Sequence, residues 1–289
     1  MVRVSVGVPV YNGGDVLQAS LDCICNQTFD DIEIIICDNA STDQTADVCQ
    51  DFAQRDRRIR YILNDTNIGS LANFQKTRDM AQSELFMWRA YDDLSDADFI
   101  EKLVGCHDAN PSAVLAVGQV RSRATGREKD RIYRYHAPSG GSRAINIVRE
   151  LFQAHASWIY GLWDVRALRD LQSPVHAHYP HIWGWDHLVF LQAILDRKVC
   201  GTNDTEFLQN IFREGSRKIR RAKARPSIDE LQTMRRDFEK FCRMEIDKRQ
   251  WTSFERWLLN RALPHYVDKR AYSRRRLWRR GLKEQFLSR

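Results

Sequence analysis

The chain has 289 residues, 43% of them hydrophobic, which is enough to bury a sizeable core in one large domain or a domain with an appendage. Its formal net charge is +7, but residues 268–289 hold nine Lys or Arg and two acids, so the rest of the chain is neutral. No run approaches the roughly 18 uninterrupted apolar residues that a membrane-spanning helix needs, which excludes such a helix.

The first half of the chain predicts a regular alternation of strands and helices. Strands are predicted at residues 3–10, 32–38, 59–63 and 84–88. Helices are predicted between them at 15–27, from about 41 to 55, and at 70–82. Ser41 and Gln44 have the spacing of a capping box at the start of the second helix. The run IEIIICD predicts a parallel strand covered on both faces, so the fold class is α/β, with a mostly parallel sheet flanked by helices.

The second half of the chain is less regular. We predict a strand at 112–120, a polar loop at 121–142, a helix at 144–155, an apolar segment at 157–163, an aromatic-rich loop at 178–187 and a helix at 188–198. After 205–212 the chain is basic and helical to its end. We therefore divide it into residues 1–120 and 121–212, the two halves of one domain, and a basic helical extension at 213–289.

The N-terminus and the cysteines indicate a cytoplasmic protein. The first residues, MVRVSVGVPVYNGG, enter a strand-like pattern without a signal peptide. The seven cysteines are scattered and odd in number, which suits reduced thiols, and we expect most of them to be small core residues. Cys23 and Cys25 are close in sequence, but no second close pair or nearby histidine accompanies them, so we expect no zinc site.

Polar groups or turns follow all four strands predicted in the first half. They are Pro9 to Asn12, Asp38 with Asn39, Asn67 to Gly69, and Asp92 with Asp93. In a parallel α/β sheet, ligands bind outside the carboxyl ends of the strands. The sequence therefore predicts one binding site at this edge of the sheet.

Common phosphate-binding motifs are missing from the first strand exit. A dinucleotide-binding oxidoreductase needs G-x-G-x-x-G, and VPVYNGG supplies only Gly13 and Gly14, although Asp38 is placed where an acid holds a ribose. No Walker lysine motif is present, which argues against a P-loop phosphotransferase. The glycine-rich, Arg/Lys-bearing loop of a nucleotidyltransferase is missing as well.

Asp92 and Asp93 allow two interpretations from the residues alone. Carboxylates suit Mg²⁺ or Mn²⁺, which usually take one or two of them and complete their shell with phosphates and water. Alternatively, acidic pairs are common after strands, and the expected role of Ser95 with Asp98 is then only to cap the helix that follows from Asp96.

Three segments occur in a characteristic order over about residues 3–104: SVGVPVYNGGDVLQASLDCICNQTFDDIEIIICDNASTDQTADV, NIGSLANF and WRAYDDLSDADFIEKL. Together they resemble the family 2 glycosyltransferases of the GT-A fold. The resemblance implies an inverting enzyme that moves a sugar from a nucleotide-diphosphate sugar to a saccharide acceptor. It also implies a divalent cation, Mn²⁺ or Mg²⁺, and an acidic general base.

The resemblance assigns donor binding to residues at the strand exits: Pro9, Tyr11, Asp38, Asn67, Gly69 and Asn73. Within this set, Asp38 would accept a hydrogen bond from the nucleotide base. The simpler interpretations are a cap or turn for Asp38 and a plain turn at Asn67 to Gly69.

The resemblance also assigns the phosphate and metal contacts. Asp92 matches the last acid of the Asp-x-Asp metal motif and would bind the cation, while Asp93 matches the acid that follows. Ala90 stands where the first acid usually lies, so we expect a metal site with one fewer stabilising contact. Arg213 would contact the phosphates, although the histidine of the family's Arg-x-His stretch is missing, and a solvated basic surface is the alternative.

Asp186, in GWDHLVFLQAIL, is the predicted base, with Trp185 replacing the glutamate of the family's Glu-Asp pair. The competing role is a helix N-cap, and a helix N-terminus lowers the basicity of a carboxylate. His181 and His187 are alternative bases or structural histidines. Trp183 and Trp185 are candidates for stacking on an acceptor sugar, or for ordinary core packing.

Residues 272–289 predict a basic amphipathic helix. Its apolar side would consist of Leu277, Trp278, Leu282 and Phe286. Such a helix in the basic tail, 268–289, suits an anionic membrane surface, and docking to the chain's own core or another subunit is an open alternative. No nucleic-acid motif appears, so we expect no nucleic-acid partner. These features predict a cytoplasmic protein held peripherally on the inner membrane face, where a lipid-linked saccharide acceptor is presented.

The expected role is synthesis of a cell-surface polysaccharide or lipopolysaccharide. A UDP-sugar is the default donor, and GDP- or dTDP-sugars remain open. Two other functions fit the fold: a non-catalytic nucleotide-sugar or glycan-binding protein, which Ala90 favours, and a nucleotidyltransferase.

Overall fold

The computed structural model describes residues 2–126, 128–211 and 226–287, with side chains described up to residue 280. The chain divides into two compact units. Unit 1 consists of Met1–Tyr135, Ser157–Leu168 and Lys198–Arg220, and unit 2 of His136–Ala156, Arg169–Arg197 and Arg221–Arg289. The predicted division by ligand, at residues 120 and 212, stays a prediction.

The described part of unit 1 contains a nine-stranded sheet. Its strands are β1 (Val4–Val10), β2 (Ile32–Asp38), β3 (Ile59–Leu63), β4 (Leu85–Trp88), β5 (Leu94–Ser95), β6 (Leu115–Ala124), β7 (Arg131–Tyr133), β8 (Leu162–Asp164) and β9 (Val199–Ile211). The order is β3-β2-β1-β4-β8-β6-β9-β5, with β7 beside β6. The first four positions are parallel, and β8 joins them antiparallel to both β4 and β6. This confirms the α/β fold with its partly parallel sheet.

Helices follow the first strands as the alternation predicts. They are α1 (Gly14–Cys25), α2 (Thr45–Arg55), α3 (Ser70–Asp79) and α4 (Phe99–Ala109). The inner face of α1 is formed by Leu17, Leu21 and Ile24, which are fully buried. Every residue of β1 is buried, as expected for a strand covered on both sides.

The register of the parallel strands brings their carboxyl ends to one edge. Val10 pairs with Asp38, and Asp38 pairs with Leu63. On the other side of β1, Gly7 pairs with Trp88, the last residue of β4. The four loops that follow these strands therefore start from the same edge of unit 1.

Two predictions for unit 1 are wrong. Ser41 and Gln44 form no capping box, because α2 begins only at Thr45 and the Ser41 hydroxyl accepts a hydrogen bond from the Asn12 amide instead. The predicted polar loop 121–142 contains the end of β6 and all of β7. Its polar residues are tolerated because several of them alternate to the partly exposed face of an antiparallel ribbon.

The described part of unit 2 is helical. It contains α5 (Arg143–Gln153), most of α6 (Val165–His178), α7 (Trp185–Leu195), α8 (Ile228–Asp247), α9 (Ser253–Arg270) and α10 (Arg274–Leu287). A 3-10 helix, Ala156–Tyr160, precedes β8. The described part of the predicted helical extension, residues 226–287, is helical. The helix α6 was not predicted, and α7 begins three residues earlier than expected. None of the described helices is long and apolar enough to cross a membrane.

The C-terminal helix differs from its predicted form. Leu277 is buried whereas its neighbour Trp278 is 66% exposed, so these two do not line one exposed side. Adjacent helical residues point about 100° apart, which accounts for the difference. The side chains of Leu282 and Phe286 lie outside the described residues, as does Arg213. Within unit 2, α10 packs on α8, and Arg280 donates a hydrogen bond to the Pro226 carbonyl.

Candidate active site

The loops after β1 and β2 are tied together by short polar side chains. The Asn12 backbone, with φ +50°, donates to the Ser41 hydroxyl at 2.9 Å. The Asn12 side-chain oxygen accepts a hydrogen bond from the Thr42 amide at 2.8 Å. The backbone amide of Asn39 donates to the Val10 carbonyl at 2.9 Å. Tyr11, half-buried between these contacts, is therefore held at the junction of the two strand exits.

Asp38 is fully buried at the end of β2. One carboxylate oxygen accepts the Ser41 amide at 2.9 Å, and the other accepts the Tyr61 hydroxyl at 3.0 Å. The turn-forming role is therefore present. A carboxylate offers about four lone-pair positions, so these two bonds leave acceptor capacity for the N–H of a nucleotide base. Pro9, also predicted for the base pocket, is buried one position before the end of β1.

An asparagine network connects the exits of β2 and β3, and the sequence did not reveal it. The side chain of Asn39 donates to Asn67 at 2.9 Å, and that of Asn64 donates to Asn39 at 3.1 Å and to Asn73 at 3.0 Å. Asn73 in turn donates to the Cys37 carbonyl at 2.8 Å. Asn39 belongs to a predicted strand exit, but asparagine is so common in turns that nothing in the pattern indicated these hydrogen bonds or singled out Asn64.

Gly69 is exposed in the left-handed region, with φ +86°, where a side chain would be strained. Its amide donates to the side chain of Asn67 at 2.9 Å, so these residues do form a turn before α3. Asn67 is exposed and Asn73 is buried. The predicted donor residues of this segment are thus brought to the same edge as Asp38, through the asparagine network.

The loop after β4 is anchored by Asn210 of β9. The backbone amide of Asn210 donates to the Asp93 carboxylate at 2.7 Å, and its side chain donates to the Asp92 carbonyl at 2.8 Å. Asp93 is buried, whereas the Asp92 side chain is partly exposed. This geometry favours a structural role for Asp93 and leaves Asp92 as the carboxylate at the surface of the loop. Asn210 had no sequence signal, because it lies 117 residues from Asp93.

The same loop touches the exit of β1. A Cβ atom at Gly13 would lie 2.6 Å from the Tyr91 ring, so the two loops are in close contact. The Ala90 carbonyl accepts the Ser20 hydroxyl at 3.1 Å, and Ala90 itself is buried. All four strand exits of unit 1 are therefore joined in one continuous set of contacts.

A divalent cation fits this edge of the sheet only if it takes few ligands from the protein and the rest from phosphates and water. The described residues contain no group of three His, Cys, Asp or Glu placed to hold a metal. Ala90 supplies no carboxylate. The Asp92 carboxylate is a hard oxygen ligand of the kind that Mg²⁺ and Mn²⁺ take from proteins when phosphates and water complete the shell.

Asp186 lines a cavity of about 690 Å³ within unit 2. The cavity is lined by Ala156, Pro180, His181, Ile182, Trp183, Gly184, Trp185, Asp186, His187, Met234 and Arg270. Gly184, with φ +80°, precedes α7, and the Asp186 carboxylate accepts the His187 amide at 2.8 Å. Burial raises the pKa of Asp186 to about 6. Hydrogen bonds from the backbone amides of His187 and of Asp186 itself act in the opposite direction but are the smaller effect.

The surroundings of the two histidines near Asp186, His181 and His187, favour a structural role for both. The imidazole Nε2 of His181 lies 2.7 Å from the Asp237 carboxylate. His187 is buried, and burial holds its pKa well below the ordinary range, so it stays neutral. Trp183 is 55% exposed at the cavity and its ring lies 5.7 Å from that of Tyr272. The cavity thus presents one carboxylate together with exposed aromatic surface.

The parallel strand exits with their polar loops, in a sheet of this order, define the class of protein: a GT-A fold. The model of Glycosyl transferase family 2 matches residues 5–183, more than half of the chain, and the chain belongs to that family. This confirms the resemblance.

Curated relatives match over the N-terminal part of the chain. Glycosyltransferase GlyA of Streptococcus pneumoniae is 33% identical over 101 residues, which is 35% of this chain and 14% of that protein. The GalNAc(5)-diNAcBac-PP-undecaprenol beta-1,3-glucosyltransferase of Campylobacter jejuni is 36% identical over 94 residues, 32% of this chain and 30% of that protein. The chain therefore matches a third or less of the length of these relatives.

A solved structure matches over nearly the whole chain. S. aureus TarS 1–349 in complex with UDP-GlcNAc has a TM-score of 0.69 and 16% sequence identity. The match covers 94% of this chain and 74% of TarS 1–349. At this identity the likeness confirms the fold.

Proposed function

We propose that this chain is an inverting glycosyltransferase that moves a sugar from a nucleotide-diphosphate sugar to a saccharide acceptor. The observation that carries the proposal is the joining of the four strand exits of unit 1, with Asp38 buried at one and Asp92 at the surface of another. Parallel α/β sheets bind their ligands at this edge. Membership of Glycosyl transferase family 2 supports sugar transfer as the chemistry.

The residues predicted to bind the donor contact different parts of the nucleotide sugar. Pro9, Tyr11 and Asp38 bind the base, with Asp38 accepting an N–H from it. The asparagine network positions the segment from Asn67 to Asn73, which passes near the nucleotide and the donor sugar. UDP is the default carrier, and GDP and dTDP are the other candidates.

Asp92 would hold Mn²⁺ or Mg²⁺ against the diphosphate. The cation, when bound, offsets the negative charge that develops on the departing nucleoside diphosphate. Asp93 contributes through the Asn210 amide, which fixes the loop, and Arg213 would contact the phosphates.

Asp186 acts as the general base. It takes the proton from an acceptor hydroxyl as the oxygen attacks the anomeric carbon on the face opposite the nucleoside diphosphate, so one displacement inverts that carbon. The raised pKa of Asp186 suits this step better than that of an exposed carboxylate at a helix N-terminus. The exposed face of Trp183 suits the C–H face of an acceptor sugar.

The acceptor is a saccharide, and a lipid-linked saccharide of cell-surface polysaccharide or lipopolysaccharide synthesis fits the basic tail. Residues 268–289 would hold the protein to an anionic membrane surface. The name of the Campylobacter jejuni relative, which includes an undecaprenol-linked saccharide, supports this class of acceptor.

The test is release of free nucleoside diphosphate from a panel of UDP-, GDP- and dTDP-sugars, with Mn²⁺ or Mg²⁺ and a saccharide acceptor. Asp92→Asn should lose metal-dependent donor binding, because it removes the charged ligand. Asp186→Asn should bind donor normally and lose turnover. The exposed Asp204→Asn is the matched control and should behave as wild type. Near-normal turnover by Asp186→Asn would refute the base assignment.

A non-catalytic nucleotide-sugar or glycan-binding protein is the second candidate, favoured by Ala90. It predicts donor binding without turnover for any sugar nucleotide in the panel. Turnover of one donor by the wild type, lost in Asp186→Asn, excludes it.

A further inference from the structure

The outer side of α9 in unit 2 carries two large exposed aromatic side chains that neither the strand exits nor the cavity uses. Phe254 is 53% exposed and Trp257 is 60% exposed. Their rings are stacked, with centroids 6.1 Å apart. An exposed apolar cluster of this kind marks a contact surface when it is continuous and rimmed by polar groups.

The positions of these residues make one stripe along the helix. Phe254, Trp257, Arg261 and His265 follow at spacings of three and four residues, which place them on the same side. All four are exposed. The opposite side of α9 is the one that packs, through its buried residues Leu259, Leu263, Tyr266 and Val267. We call the exposed stripe of Phe254, Trp257, Arg261 and His265 the aromatic face.

The charged side chains that α9 itself exposes are basic, although one of them, Arg256, pairs with the exposed Asp247 of α8 at 2.9 Å. The exposed residues of α9 include no acid: they are Ser253, Phe254, Arg256, Trp257, Asn260, Arg261, His265 and Lys269. The two acids of the helix are both neutralised by partners. Glu255 pairs with Arg143 at 3.0 Å, and Asp268 pairs with Arg235 at 2.7 Å.

We propose that the aromatic face docks on an anionic lipid bilayer. Trp and Phe favour the boundary between headgroups and acyl chains, and neighbouring basic side chains favour anionic headgroups. A second copy of this chain suits the surface less well, because two identical faces bring like charges together. The aromatic face is distinct from the C-terminal helix, where Leu277 is already buried inside unit 2.

The test is co-sedimentation of the full chain with phosphatidylcholine vesicles, with and without phosphatidylglycerol. The double variant Phe254→Ala/Trp257→Ala should bind phosphatidylglycerol vesicles about tenfold more weakly, since it removes most of the apolar surface of the face. Arg261→Glu should lose affinity for the anionic vesicles alone, and added salt should weaken wild-type binding. Ile145→Ala removes an exposed apolar side chain from α5 and is the matched control, expected to bind as wild type.

A second measurement covers the case in which the double variant folds poorly. Vesicles with brominated acyl chains should quench tryptophan fluorescence of the wild type, and quench the conservative Trp257→Phe variant clearly less. Wild-type binding by the double variant, or equal quenching in Trp257→Phe, would overturn the proposal.

A wild-type dimer that the double variant converts to a monomer, measured by light scattering, would also overturn it and assign the face to a second copy. Release of nucleoside diphosphate without vesicles is measured separately. If no nucleoside diphosphate is released, this result counts against the proposed function and not against the proposal that the aromatic face docks on a bilayer.

Discussion

Asp186 illustrates how two local effects compete at one side chain. It lies in the first turn of α7, where the helix N-terminus favours the carboxylate, yet burial beside the cavity raises its pKa to about 6. Desolvation is the larger effect. A group that titrates near neutral pH is a better proton acceptor than an ordinary aspartate, which is ionised but weakly basic.

This pKa predicts the pH dependence of turnover. The base must be deprotonated to accept a proton, so kcat/KM should fall as the pH drops through about 6, and not only near the ordinary value of about 4. The measurement is kcat/KM for nucleoside diphosphate release between about pH 4.5 and pH 8. The residual activity of Asp186→Asn should show no limb near pH 6, and a limb that persists in this variant would assign it to another group.

At the scale of single residues, the sequence identified side chains that reach the strand exits but only some of those that hold the exits together. Asp38 and Asp92 stand out because they directly follow apolar strands. Asn64 and Asn210 do not, because asparagine is ordinary in turns, Asn210 lies in a strand far from the exits in sequence, and the partners of both are distant in the chain. Side chains that connect loops become visible only when the loops are assembled.

At the scale of elements, β1 to β4 and their helices could be predicted within a few residues, because β1, β2 and β4 are buried almost throughout and therefore consist mostly of apolar residues. The later strands were harder to predict from the sequence. Each of β6 and β9 is partly polar, and they pair in parallel although some 80 residues separate them, a relation that periodicity does not reveal. The helix α6 contains Pro174, which by local rules ends a helix.

The contact between β9 and the loop after β4 predicts a role for Asn210 in metal binding. Asn210→Ala removes the side-chain hydrogen bond to the Asp92 carbonyl but keeps the backbone hydrogen bond to Asp93, so the loop is held less firmly and affinity for Mn²⁺ in the presence of nucleoside diphosphate should fall about tenfold. Electron paramagnetic resonance of free Mn²⁺ measures this directly.

Gln209→Ala is the control for Asn210. Gln209 is the adjacent residue of the same strand, and its side chain bonds to Ser122 instead, at 2.7 Å. Equal losses of Mn²⁺ affinity in both variants would mean that any weakening of β9 has this effect, and would contradict a specific role for Asn210.

At the scale of the whole molecule, the basic tail, 268–289, both packs within unit 2 and carries positive charge. Because Leu277 is buried and the Arg235 side chain bonds to the Tyr272 carbonyl at 3.1 Å, deleting residues 268–289 would disturb unit 2 as well as remove charge. Arg275→Glu/Arg279→Glu reverses two exposed charges and leaves the packing intact.

This double variant should keep the melting temperature of the wild type and lose affinity for anionic vesicles, because each basic residue near such a surface contributes about 1 kcal/mol. Calorimetry and vesicle co-sedimentation measure the two effects. Unchanged binding would mean that the tail contributes only to the folding of unit 2.

The path of the chain has a consequence for protein engineering. The polypeptide leaves unit 1 and returns to it twice, and the last return supplies β9, which lies between β6 and β5 within the sheet. A gene fragment ending at residue 135 would therefore encode a sheet with its β8 and β9 positions empty. Neither unit can be excised or exchanged between homologues by a single cut, so chimaeras of this protein need several junctions, placed where the chain passes from one unit to the other.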